Sequence, residues 1–157
     1  MMENLRVLQS KRLVFIGVLL FTLGLFVGLF IPLMANPRMG LSTHLEGIMN
    51  GIFITVLGLI WNRIELSGKW LSVSFWLIIY GTFTNFIAVL LAAITGAGKM
   101  MPIANGQEKG PVLEAIISFL LVSLALVMLA ACVLILIGLY RHLKQKRERV
   151  IVSLFIC

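Results

Sequence analysis

Charge is what this sequence has least of. Asp, Glu, Lys and Arg together make up 12% of its 157 residues, against about 25% in a soluble domain. So little charge cannot cover a water-facing surface, which excludes a soluble globule and leaves lipid as the solvent for most of the exterior. Cysteine is scarce too. Cys132 and Cys157 are the two present, too few and too oddly placed for a disulfide framework or a zinc site, and Cys132 reads as a small hydrophobe in an apolar run. The first apolar run, Leu13 to Met34, contains no ionisable side chain. That speaks against a small multidrug-type transporter, which needs a membrane-embedded carboxylate in its first helix for proton coupling.

What the chain has in plenty is apolar length. Hydrophobic residues make up 61% of it and the mean hydropathy is +1.08. A bilayer core of about 30 Å is crossed by about 20 apolar residues in a helix, and four such helices use up nearly all of these residues. The expected fold is therefore all-α: an integral membrane bundle of four transmembrane helices at about 12–34, 44–61, 70–95 and 111–140. A basic tail to residue 149 and a short apolar end, 150–157, follow. The first run is longer than the 7–15-residue core of a signal peptide. Pro32 and Asn36-Pro37 are read as its stop, because proline cannot continue a hydrogen-bonded helix. The Gly96-Ala97-Gly98-Lys99 turn closes the third helix, and Gly110-Pro111 opens the fourth.

The net charge of +7 sits at the ends of the apolar runs, not along a stripe, so it implies no nucleic-acid partner. Ten basic residues (Arg6, Lys11, Arg12, Arg63, Lys69, Arg141, Lys144, Lys146, Arg147 and Arg149) fall on one side, and three (Arg38, Lys99 and Lys109) on the other. By the positive-inside rule both termini are expected to be cytoplasmic, in the inner (plasma) membrane. The basic tail is expected to contact lipid headgroups.

Polar groups at membrane depth are expensive, so those that persist face a bundle interior or a site. The densest cluster is Ser42-Thr43-His44-Leu45-Glu46-Gly47-Ile48-Met49-Asn50-Gly51, and helix three adds Tyr80, Thr82, Thr84 and Asn85. Two readings of His44 stand: an interfacial histidine bonded to a carbonyl, or the bundle's imidazole ligand for a transition metal or haem. Ser42 or Thr43 with Glu46 forms a possible capping box at the start of helix two. Asn50, flanked by Gly47 and Gly51, needs partners if buried, and the glycines allow close approach of either a helix or a flat ligand. Glu114 suits the N-terminal dipole of helix four. The six-residue step from His44 to Asn50 turns the side chains about 120° apart and separates them by about 9 Å along the axis. One helix therefore does not offer both to one small site, whereas an oligomer holding a flat cofactor between protomers could use His44 from one and Asn50 from the next.

The segment Leu41 to Gly51, the run Tyr80-Gly81-Thr82-Phe83-Thr84-Asn85 and the loop Gly98-Lys99-Met100-Met101-Pro102-Ile103-Ala104 resemble the hydroxylaminobenzene mutase family over roughly residues 12–140. A histidine followed six residues later by Asn-Gly is also similar to the styrene oxide isomerases, more distant four-helix membrane enzymes. The resemblance implies an isomerase without redox turnover that moves the hydroxyl of an aryl hydroxylamine from nitrogen to the ortho carbon, giving a 2-aminophenol. The epoxide isomerases use ferric haem b as a Lewis acid in a trimer. Carried over by position, His44 would be the iron ligand, with Gly47 and Gly51 beside the cofactor. Asn50, Tyr80 and Asn85 would be the catalytic side chains, Asn50 orienting the substrate heteroatom. Tyr80 stands near the place of an aspartate in the epoxide isomerases, and a later tyrosine of theirs has no counterpart near Val89. That departure favours the hydroxylamine over the epoxide-to-aldehyde rearrangement. Phe53, Trp76, Phe83 and Phe86 are candidate aromatic walls for a small aromatic substrate, with core packing or lipid contact the commoner role for each. A non-catalytic membrane scaffold is the remaining alternative, and it predicts a colourless protein.

Overall fold

The computed structural model describes residues 2–156, with side chains described over 3–148. Four long helices form: α1 (Met2–Gly28), α2 (Pro37–Ile60), α3 (Gly68–Thr95) and α4 (Pro111–Ile156), joined by 3₁₀ turns at Ile31–Leu33, Trp61–Arg63 and Pro102–Ala104. Each is long and apolar enough to cross a membrane, so the expected multi-pass bundle is the observed architecture. The chain runs up, down, up and down. At one end the Arg6 guanidinium donates to the Leu66 carbonyl (3.1 Å) and pairs with Glu65 (3.4 Å). The Glu65 amide donates to the Gly138 carbonyl of α4 (3.1 Å). At the other end the Asn36 amide donates to the Ala93 carbonyl (3.0 Å). The start of α1 and the far part of α4 therefore share a side.

Several boundaries differ from the sequence expectation. Helix one ends at Gly28, not near Met34, because Pro32 has no N–H to give the Gly28 carbonyl, and the chain tightens into a 3₁₀ turn. Helix two begins at Pro37 and not at His44. The Asn36 side-chain oxygen accepts from the Arg38 and Met39 amides (3.1 and 3.2 Å), and Pro37 takes the first helical position. The Asn-Pro pair read as a stop is the start of the next helix. The capping box of Ser42 or Thr43 with Glu46 does not form. Ser42 and Thr43 lie inside α2 and donate to the Arg38 and Met39 carbonyls one turn back. Helix four continues through the basic tail because no Gly or Pro interrupts it there, and Lys, Arg, Gln and Glu propagate a helix well. The side chains of the 150–157 end, together with Cys157, lie outside the described residues.

α1 and α2 touch backbone to backbone. A Cβ built on Gly47 would lie 2.5 Å from the Gly24 Cα, and one on Gly51 would lie 2.5 Å from the Phe21 nitrogen. Small residues allow this contact in lipid, where packing and not hydrophobic exclusion drives helix association. Gly47→Val should therefore lower stability by about 1–3 kcal/mol, read as an earlier melting transition in detergent. An unchanged transition would remove this crossing from the account.

The packed interior lies between the helices around Leu13, Leu20, Ile54, Trp61, Leu71 and Ile78, each at most 1% exposed. Trp61 gives its indole N–H to Gln9 (3.2 Å), and Gln9 in turn donates to Ser72. The outer face of α4 is an apolar stripe, Phe119, Leu126, Leu129 and Leu136, each more than 60% exposed, as a lipid-facing helix requires.

Candidate functional site

Glu46 is a carboxylate inside an apolar helix, where it needs partners. One turn on, Asn50 donates its amide to the Glu46 Oε2 (3.2 Å). Asn85, from the middle of α3, donates to the same oxygen. Two amides from two helices thus fix one carboxylate oxygen. Beside this cluster is a cavity of about 400 Å³. α2 lines it with Met39, Ser42 and Glu46, α3 with Asn85 and Val89, and α4 with Leu121, while the loop from Met100 to Ala104 lines its remaining side. The three segments singled out in the sequence, in helix two, helix three and the third loop, meet around this one space.

This loop is built, not slack. Glu114, 8% exposed in the first turn of α4, accepts from the backbone amides of Gly98 (3.1 Å), Lys99 (3.0 Å) and Lys109 (3.3 Å). The Asn36 side-chain amide donates to the Ala104 and Asn105 carbonyls (3.0 and 3.2 Å). Gly96 closes α3 at φ +74°, a left-handed conformation that favours glycine. Glu114 therefore serves as a loop clamp, which its position near a helix dipole did not foretell.

His44 lies on the other flank of α2. Its Nδ1 is 2.8 Å from the Gly24 carbonyl and its ring packs on Gly28. The two-residue step to Glu46 turns the side chains about 200° apart. Between the two flanks runs the exposed stripe of Leu41, Leu45, Met49 and Ile52, each 47–66% exposed. His44 stands seven positions beyond Pro37, just under two helical turns or about 10 Å into α2, and not at the helix entrance.

Other expected members are placed elsewhere. Gly47 and Gly51 are buried against α1, so the room their missing side chains leave is taken by a helix and not by a flat cofactor. The Tyr80 hydroxyl shares a hydrogen bond with Ser123 of α4 (2.9 Å), apart from the Glu46 cluster. Of the aromatic walls, Trp76 is 65% exposed and Phe86 is buried against Gly47, while Phe53 and Phe83 pack on the core. The cavity walls are methionine and aliphatic instead. Glu46 was the hub the sequence reading missed. Its signal is a carboxylate four residues before an asparagine within an apolar helix, the spacing that puts both on one face.

The described residues hold no group of three or more His, Cys, Asp or Glu that could grip a bare ion. A single imidazole fits a metal that brings its own macrocycle. With Nδ1 on the Gly24 carbonyl, the proton sits on Nδ1 and Nε2 presents a lone pair, with no partner among the described residues.

The sequence profile of the styrene oxide isomerase family matches residues 9–140. The chain belongs to that family. Two curated relatives come from Ectopseudomonas oleovorans. Hydroxylaminobenzene mutase HabB is 48% identical over 132 residues, covering 83% of this chain and 80% of the relative. Hydroxylaminobenzene mutase HabA is 46% identical over 127 residues, covering 80% and 94%. No solved structure matches the chain. Like these family members, the protein is an enzyme of the isomerase class, and the matched span contains every residue of the cavity and of the His44 flank.

Proposed function

We propose that the protein rearranges aryl hydroxylamines within the membrane, converting hydroxylaminobenzene to 2-aminophenol. The observation that carries this reading is the convergence of the three motif segments on one apolar cavity beside a carboxylate held by two amides. The names of both curated relatives support it. Substrate and product have the same atoms. The N–O bond breaks, oxygen joins the ortho carbon, and the proton lost from that carbon is matched by one gained at nitrogen. Water would capture the electron-poor ring, so the reaction needs a dry space with fixed dipoles. The Met100 to Ala104 cover, held by Glu114 and Asn36, provides the exclusion. Asn50 and Asn85 hold Glu46 in a single position against the cavity.

His44 is the residue that would hold haem b, through Nε2, with the Gly24 carbonyl orienting the ring. When bound, ferric haem supplies a Lewis acid for the departing oxygen. His44 and the Glu46 cluster lie on opposite flanks of an exposed apolar stripe, so a closed ring of protomers, with a trimer favoured, would bring His44 of one to the cluster of the next. Both termini are assigned to the cytoplasmic side of the inner membrane from the basic residues clustered at their end of the bundle.

The deciding experiment uses protein purified in detergent from haem-replete cells. Incubation with hydroxylaminobenzene should give 2-aminophenol by chromatography, with little aldehyde from styrene oxide and a haem Soret band in the absorption spectrum. Aldehyde as the main product would favour the epoxide reaction, and a colourless but active protein would remove haem from the proposal.

A further inference from the structure

We infer that Glu46 selects substrates by a hydrogen-bond donor on the atom attached to the arene, accepting it with Oε1. The inference rests on the cavity assignment above and goes beyond it by naming what the cavity discriminates. Asn50 and Asn85 both donate to Oε2. Oε1 has no partner among the described residues, although Glu46 lines the cavity. Ser42, the nearby hydroxyl in the lining, spends its proton on the Arg38 carbonyl (3.1 Å). Most of the remaining wall, Met39, Val89, Met101 and Leu121 among it, is apolar. A free acceptor in such a wall is poorly compensated until a ligand donates to it, and a ligand N–H entering from lipid has the same need. A hydrogen bond to a carboxylate is among the stronger ones.

An aryl hydroxylamine carries N–H and O–H donors beside its ring, whereas an aryl epoxide carries none. The oxygen of an epoxide would face Oε1 acceptor to acceptor. The cavity, at about 400 Å³, is of the size that takes small organic ligands, and its methionines adapt to ring substituents. Glu46 thus sets the substrate class through hydrogen-bond polarity, and the asparagines are positioning residues that hold it there.

The test is binding of two unreactive arenes of the same shape, aniline and toluene, to the purified oligomer, corrected for partition into the micelle. Wild-type protein should favour aniline by about tenfold or more. In Glu46→Gln the side-chain oxygen stays on the two asparagine amides, which turns the NH₂ group into the cavity. The preference for aniline should fall to about twofold or less, and acceptor-bearing arenes such as styrene oxide should bind better than to wild type. Glu46→Asp keeps an acceptor and should keep the sign of the preference. If the glutamine variant does not fold, the wild-type comparison decides alone, and equal binding of aniline and toluene overturns the inference. The outcome is separable from the proposed reaction. Aniline preference without turnover of hydroxylaminobenzene upholds the Glu46 inference while removing the mutase reading. Turnover without the preference does the reverse.

Discussion

Replacing His44 with alanine should remove the haem absorption and about 10²–10³-fold or more of the mutase activity, while leaving a folded oligomer. The separation is possible because the ring makes a single hydrogen bond, to the Gly24 carbonyl, worth about 1 kcal/mol. The melting transition should move little. An H44A protein that keeps both pigment and turnover would show that the ligand is elsewhere. A second measurement asks which protomer His44 serves. Its flank of α2 lies about 200° from the flank of Glu46, and Asn50 stays with Glu46 in the same chain. H44A and N50A chains, each inactive alone, should regain activity when co-assembled, since random mixing in a ring leaves roughly a quarter of interfaces with both side chains intact. No rescue would put His44 and Asn50 to work within one chain.

Much of this architecture could be read directly from hydropathy, because lipid permits few alternatives to a helix once about 20 apolar residues stand in line. The end of α3 and the start of α4 were equally plain, fixed by Gly96 and by Gly110-Pro111. The Asn36-Pro37 pair was ambiguous for a physical reason. Proline both forbids continuation of one helix and suits the first position of the next, and only the Asn36 cap decides between them. That decision moved His44 from the mouth of α2 into its body. It also left Ser42 and Thr43 without a capping role, so Glu46 was free to act elsewhere.

The site was legible as a set of segments but not as a set of contacts. The motif segments named stretches of chain that the structure gathers around one cavity. Pairing Asn85 with Glu46 joins residues 39 apart in sequence, a distance at which helical periodicity carries no information. Gly47 and Gly51 suit a flat ligand as well as a helix by composition. The close approach of Gly24 and Phe21 gives them to α1. Tyr80 was placed by likeness in helix three, yet it lies five positions before Asn85, about 140° around the helix, and pairs with Ser123 instead.

The loop over the cavity offers the second large effect. Glu114→Ala should raise the KM for hydroxylaminobenzene by roughly tenfold through loss of positioning and should expose the loop to trypsin at Lys99 and Lys109. Both cleavage sites are residues whose backbone amides Glu114 holds. Removing the carboxylate leaves those amides and that of Gly98 without their acceptor. The loop then keeps Asn36 as its anchor to α2, its own backbone bonds among Gly96, Gly98, Met101, Gly106 and Gln107, and the exposed Lys99–Glu108 pair. Without its carboxylate tie to α4, a segment held mainly by its own turns opens locally well before the bundle unfolds. Glu114→Gln retains one acceptor oxygen and should fall between the two. The haem absorption should be unchanged in both variants, because His44 sits on the far flank of α2 against α1. That contrast separates the loop from the proposed haem ligand: loss of substrate affinity with intact pigment means the loop closes the cavity, whereas unchanged KM and unchanged trypsin resistance would mean that the clamp on the Met100 to Ala104 loop has no part in holding substrate.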